Sequence, residues 1–140
     1  MRNICFYFQI HQPLRLKRYR FFEIGQDHYY YDDFQTEDRI RTLVEQSYLT
    51  ANRSISEMIR SSNGKFKCAF SISGVALEQL EQYAPEVIDS FKELANTGSV
   101  EFLGETYAHS LSSIYDTNEF ESQIKAHADK IESLFGQRPT

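Results

Sequence analysis

No tryptophan occurs in this sequence, and cysteine occurs only twice, at Cys5 and Cys68. Two thiols so far apart form neither a CxxC pair nor a zinc-ligand spacing. Both lie in apolar runs and are expected to be reduced and buried. No apolar run is long enough to span a bilayer. The amino-terminal apolar stretch is short, interrupted by polar residues and followed by no small-residue cleavage site, so a cytoplasmic location is expected. A Gly-rich phosphate loop, a GxSxG elbow and an HExxH pair are all missing, which removes support from nucleotide, serine-hydrolase and zincin chemistry. Repeats and low-complexity segments are missing too. Nor is there an excess of positive charge: 15 Lys and Arg face 20 Asp and Glu, a formal net charge of -5. That balance argues against a nucleic-acid partner, and the acidic run behind the basic stretch RLKRYR at 15–20 cancels its charge.

What is present suits one ordinary domain. The 140 residues are 41% hydrophobic and 25% charged, enough for a core of its own. NICFYFQI at 3–10 reads as a buried strand that ends where Pro13 removes a ladder donor. The long aromatic connection 14–36 follows, and connections of that length are usually functional. A helix with Thr36 as N-cap runs to Asn63-Gly64, its apolar stripe being Ile40, Leu43, Val44, Tyr48, Ala51, Ile55, Met58 and Ile59. KFKCAFSI at 65–72 is a second strand. A short helix from Val75 to about Tyr83 and another opened by Pro85 come next. SVEFLG at 99–104 is a third strand, and Asp116 with Glu119 makes a capping box for a last helix closed by Gly136. Repeated βα alternation predicts an α/β fold of parallel strands with helices packed outside. Three such units leave an open edge, so the chain is expected to be the N-terminal part of a longer protein, without an internal boundary over 1–140.

Ligands of parallel βα folds bind at the C-terminal ends of the strands. That rule selects His11 and Gln12 after the first strand, Ser71 and Ser73 at the second, and Glu101, Glu105, Tyr107 and His109 on and after the third. His11 could be a histidine satisfied by a backbone carbonyl, or a donor to a ligand hydroxyl or oxyanion. Strand alternation puts Val100 and Phe102 on one side and Glu101 on the other, where a carboxylate is costly unless paired or used. Two histidines and a carboxylate could also hold a metal, though no local HxxxH-type pair supports this and no metal or other cofactor is expected. His127, on the last helix, is expected at the surface or the core edge. His28 lies in DHYYYDD at 27–33, where tyrosines interleaved with carboxylates suit either sugar stacking or packing of the loop.

FYFQIHQPLRL at 6–16 resembles the first motif of glycoside hydrolase family 57, with its His-Gln-Pro after the first strand. GSVEFLGETYAHSL at 98–111 resembles the second, a strand bearing a glutamate followed by Gly-x-Thr-Tyr-x-His. The resemblance spans essentially the whole chain. It implies the first three βα units of a distorted (β/α)7 barrel, acting with retention on α-glucans or maltooligosaccharides as amylases and glucanotransferases do. It implies substrate-binding places for His11, Gln12, Glu101, Tyr107 and His109. The family's nucleophile, a glutamate, and its acid/base, an aspartate, belong to a third and a fourth motif that this chain does not carry. No catalytic residue is therefore expected within it; both are expected beyond Thr140. Retention needs two carboxyl groups about 5 Å apart, and the family gives neither role to Glu101 or Glu105. Two other readings stay open. A metal-dependent polysaccharide deacetylase-like domain shares the fold, but its first strand typically carries an Asp pair, absent from QIHQP. A non-catalytic carbohydrate-binding module could use the same rim.

Overall fold

The structure, a computed structural model, describes residues 4–140. The expected start of the first strand at Asn3 lies outside those residues. Strand β1 (Phe6–Ile10) leads into a long connection and then helix α1 (Asp33–Leu43), a π-helical stretch (Val44–Tyr48) and helix α2 (Leu49–Ser61). Strand β2 (Cys68–Ile72), helices α3 (Gly74–Tyr83) and α4 (Pro85–Asn96), strand β3 (Val100–Phe102) and helix α5 (Thr117–Phe135) complete the order. The three strands form one parallel sheet in the order β1-β2-β3. The α/β fold read from the sequence is therefore the fold observed.

Register divides the sheet into two unlike faces. Phe8, Phe70 and Phe102 share one row, and Phe8 stacks on Phe70 at 5.2 Å between ring centres. Phe70 meets Phe91 of α4 edge-on, and Phe102 lies flat on Phe135 of α5 at 4.5 Å. With Ile72, Leu77, Leu80, Val87, Leu94 and Ile131 they form one core between this face and the helices. Strands in simple sequential order joined by right-handed crossovers put every helix on the same side. The opposite face carries the row Tyr7, Ala69, Glu101 and the row Gln9, Ser71; Tyr7, Gln9 and Glu101 on it are exposed.

After α5 the chain returns to the free edge of β3. Thr140 N–H donates to the Phe102 carbonyl at 3.1 Å, and Gly104 N–H donates to the Thr140 carbonyl at 2.9 Å. Two such bonds on either side of Leu103 are the pattern of a parallel ladder. Among the described residues no helix is long and apolar enough to cross a membrane.

Local differences from the sequence reading have physical causes. The first helix is capped by Asp32, whose carboxylate accepts from Gln35 N–H, and not by Thr36. Thr36 is buried in the first turn: its hydroxyl donates to the Asp32 carbonyl and accepts from Arg15 N–H, tying the connection to the helix. The pairing Leu16–Tyr31 closes that connection as an antiparallel bridge, so the helix can begin right after it. Asp116 caps α5 as expected, accepting from Glu119 N–H, but the Glu119 side chain accepts from Gln123 instead of closing the box. Gly136 ends α5 in the left-handed conformation, φ 69°. Cys68 is buried, but Cys5 is exposed, because it precedes an edge strand that begins only at Phe6.

Asp32→Ala is expected to cost about 1 kcal/mol of stability, the usual worth of an N-cap carboxylate, read as a lower urea midpoint. A loss no larger than that of an exposed control substitution would return the cap to Thr36.

Candidate functional site

The C-terminal ends of β1 and β2 and the segment after β3 meet at one rim. His11, half-buried, leaves β1 and sets Nδ1 2.8 Å from Ser73 Oγ, at the foot of α3. The His109 ring stacks on it with centres 4.5 Å apart and planes 23° from parallel. His109 Nδ1 lies 2.9 Å from Glu105 Oε2, and Ser71 Oγ donates to Glu105 Oε1 at 2.7 Å. Both carboxylate oxygens thus accept a hydrogen bond already. Glu105 is mostly buried beneath the more exposed His109, so the carboxylate orients the imidazole, much as a second partner fixes the tautomer of a working histidine. Gln9 Nε2 is 3.5 Å from His109 Nδ1, too long to compete with the carboxylate.

Three elements hold this group in place. Ser73 N–H donates to the Ile10 carbonyl at 3.1 Å, extending the β1–β2 ladder past His11. Gln79 of α3 donates to the Gln12 carbonyl at 2.6 Å, while its own Oε1 is buried without a partner. His127, fully buried on α5, donates from Nε2 to the Ile72 carbonyl at 2.9 Å, and its Nδ1 faces Glu105 N–H at 3.4 Å. The expectation of a surface or core-edge His127 is corrected: the ring pins the last residue of β2 to the backbone of Glu105. Helical spacing put it next to the apolar stripe, and its two backbone partners make burial affordable.

The other sequence-derived candidates take different partners. Gln12 is buried below the rim, held through its carbonyl. Tyr107 packs its ring on Gly74 and donates its hydroxyl to Glu78 at 2.6 Å. Burial, then that hydrogen bond, raises its pKa. Its carbonyl accepts from Val75 N–H, so Tyr107 fastens the loop after β3 to α3. Glu101 lies on the open face in the row of Tyr7 and Ala69, and accepts from Thr140 Oγ1 at 2.5 Å. Glu105, one of several polar residues the sequence put on the rim, is the carboxylate at the centre. His109 itself sits at φ 54°, a left-handed conformation that turns its ring back towards His11. No sequence pattern signals that turn.

In the connection 14–36 the tyrosines serve the loop. The Tyr29 hydroxyl donates to Asp33, which pushes its pKa up to about 12. Lys17 covers the Tyr29 ring at 4.8 Å, and the Tyr19 hydroxyl donates to the Tyr29 carbonyl. Among the described residues no group of three or more His, Cys, Asp and Glu is arranged to hold a metal ion.

Burial and the nearby His109 lower the His11 pKa below its ordinary 6.5, with Glu105 pulling the other way. The unfolded chain therefore binds this proton more readily than the folded one. Stability is expected to fall as pH drops below 6.5, until His11 protonates in the folded state as well. His11→Gln should flatten that part of the profile, measured as urea midpoints against pH; an unchanged slope would put the titration elsewhere. At Gly74 a Cβ would stand 2.4 Å from the Tyr107 ring. Gly74→Ala is expected to displace that ring and cost about 1–3 kcal/mol, with the tyrosine losing its Glu78 partner. A fully stable variant with an unshifted Tyr107 titration would contradict the packing described.

Comparison with known proteins identifies the family. The family model of Glycosyl hydrolase family 57 matches residues 5–140. A Methanocaldococcus jannaschii protein named "Putative alpha-amylase" is 35% identical over 139 residues, which covers 95% of this chain and 28% of that protein. The crystal structure of 4-alpha-glucanotransferase from Thermococcus litoralis superposes with a TM-score of 0.69 at 18% identity, covering 96% of this chain and 18% of that one. This chain thus spans less than a third of either relative, and the second likeness is one of fold. With its motifs at the strand ends and the family match running almost from end to end, the chain belongs to glycosyl hydrolase family 57.

Proposed function

We propose that this chain forms the first three βα units of a barrel that acts on α-glucans, as a retaining glycosidase or transglycosylase. One observation carries the reading: the sheet is apolar on its helix side and polar on the other, and the polar side leads up to the stacked His11–His109 pair. A doubly wound sheet would cover both faces with helices, whereas a barrel turns the uncovered face inward. The return of Thr140 to the β3 edge supports a fourth strand in parallel register. The named relatives, an amylase and a glucanotransferase, support α-glucan or maltooligosaccharide as substrate.

Within this reading His11 and His109 hydrogen-bond the sugar, and Glu101 lines the interior below them. Gln12 and Tyr107 shape the rim through their backbone and ring contacts. Glu105, its two oxygens already engaged, orients His109. The nucleophile and the acid/base come from chain beyond Thr140. The first strand ends in QIHQP without the Asp pair typical of the deacetylase-like domain, which favours the glucan reading.

The test is to express the product of the coding sequence continued past Thr140 and incubate it with maltooligosaccharides. Redistribution or shortening of chain lengths, insensitive to chelator, is expected. His11→Ala should lower kcat by about 10²-fold, the scale of losing one positioned donor, with the fold retained by circular dichroism and the melting temperature only modestly lowered by the loss of the Ser73 partner. Release of acetate from an acetylated polysaccharide, abolished by chelator, would replace this reading with the deacetylase. Glucan binding with no turnover would replace it with a binding module.

A further inference from the structure

An imidazole has two nitrogens, and this structure commits one of them in each ring of the stacked pair. Ser73 is fully buried. Its Oγ accepts Ala76 N–H at 3.3 Å as the N-cap of α3, and lies 2.8 Å from His11 Nδ1. A hydroxyl has one proton to give. Were His11 to donate from Nδ1, the oxygen would receive two N–H groups and its own proton would be left buried without an acceptor. Donation from Ser73 to Nδ1 satisfies every group. His11 then carries its proton on Nε2.

His109 has the opposite arrangement. Its Nδ1 faces a carboxylate oxygen of Glu105 at 2.9 Å, and a carboxylate only accepts. The proton of neutral His109 therefore sits on Nδ1, leaving Nε2 as a lone pair. The His11 backbone on either side is fixed by Ser73 N–H on Ile10 and Gln79 on Gln12, so the imidazole is held beside Ser73, and turning the ring over would give up its contact with the Ser73 hydroxyl.

We propose that Ser73 is a positioning residue that locks His11 in the Nε2-protonated tautomer, so that the stacked histidines offer one donor and one acceptor side by side. The ligand chemistry that matches is a pair of neighbouring hydroxyls, one accepting from His11 and the other donating to His109, as a pyranose diol provides. The sugar-facing half of this proposal rests on the glucan reading; the tautomer does not.

The experiment uses the product of the coding sequence continued past Thr140, labelled at histidine, its imidazole nitrogens followed by long-range proton–nitrogen spectra above neutral pH. In the wild type His11 is expected with an unprotonated Nδ1 and His109 with a protonated one. Ser73→Thr keeps the hydroxyl and should keep the His11 signature. Ser73→Asp still caps α3 but can only accept, so it should move the His11 proton to Nδ1. Ser73→Ala should give a mixture of tautomers. Far-UV circular dichroism verifies the fold, and if Ser73→Asp does not fold, the Ala and Thr variants carry the comparison. A wild-type His11 protonated on Nδ1, or a signature that ignores these substitutions, overturns the proposal. Titration with maltoheptaose then tests the sugar-facing half, with Ser73→Asp expected to bind roughly tenfold more weakly than Ser73→Thr, the loss of one hydrogen bond. Equal affinities overturn that half. No binding by the wild type overturns it together with the glucan reading, while the tautomer stands on the spectra alone.

Discussion

The rim depends on the first turn of α3. A helix begins with N–H groups that have no partner inside it, and here they are used to fasten other segments. Ser73 N–H holds the Ile10 carbonyl, Val75 N–H holds the Tyr107 carbonyl, and the Ser73 side chain meets both Ala76 N–H and His11. One turn of helix therefore grips the end of β1 and the segment after β3 together. Gly74 lets this happen, because the Tyr107 ring occupies the space a side chain would need. The two segments are far apart in sequence, and the helix start joins them. The same use of N–H groups means that this helix start is filled by its own protein.

A second constraint acts on the sheet. Sequential strand order leaves helices α1 to α5 on one side, so the packing needs of the core fall on alternate residues only. Phe8, Phe70 and Phe102 meet them, and Phe91 and Phe135 complete the stack from α4 and α5. The intervening positions are released from packing. They are Tyr7, Gln9, Ala69, Ser71 and Glu101, a set that would be costly between two helical layers and is cheap on a face that water or a sugar can reach. Glu101 thus needs no buried partner of the kind its place in a parallel strand suggested. The polar rows lead along the strands to the rim, which is how a sheet built for packing on one side becomes a binding surface on the other.

The elements were legible because their signals are local. Strand ends, the Asn63-Gly64 stop, Pro85 at a helix start and Gly136 past a helix end each depend on a few neighbouring residues. The rule that ligands meet strand C-termini put His11, His109 and Glu105 on the rim, but together with Gln12, Ser71, Ser73, Glu101 and Tyr107 and without distinguishing among them. What stayed hidden depends on contacts between distant segments. Thr36 has the right chemistry for a cap, but the Leu16–Tyr31 bridge brings Asp32 to the helix start first. The burial of His127 comes from two backbone groups, one on β2 and one beyond β3, that no helical pattern reveals. Cys5 was exposed by the late start of an edge strand. The tyrosine cluster at 29–31 had two readings in sequence, and the observed hydrogen bonds within the connection favour the one in which its rings hold the loop together.

The pairing of His11 with His109 also explains why the carboxylate here is Glu105 and why it is doubly bonded. Burial first, and then the neighbouring His109 ring, lower the affinity of His11 for a proton. A free carboxylate beside them would work against this by favouring a cation. Ser71 donates to one Glu105 oxygen and spreads its charge away from His109. The balance keeps His11 neutral with a proton to offer, while His109 remains oriented by its carboxylate. A lone histidine at a strand end could be held by any carbonyl. Two histidines held by different chemical partners, a hydroxyl and a carboxylate, are instead forced into unlike tautomers, and that asymmetry gives the rim the means to distinguish one hydroxyl from its neighbour.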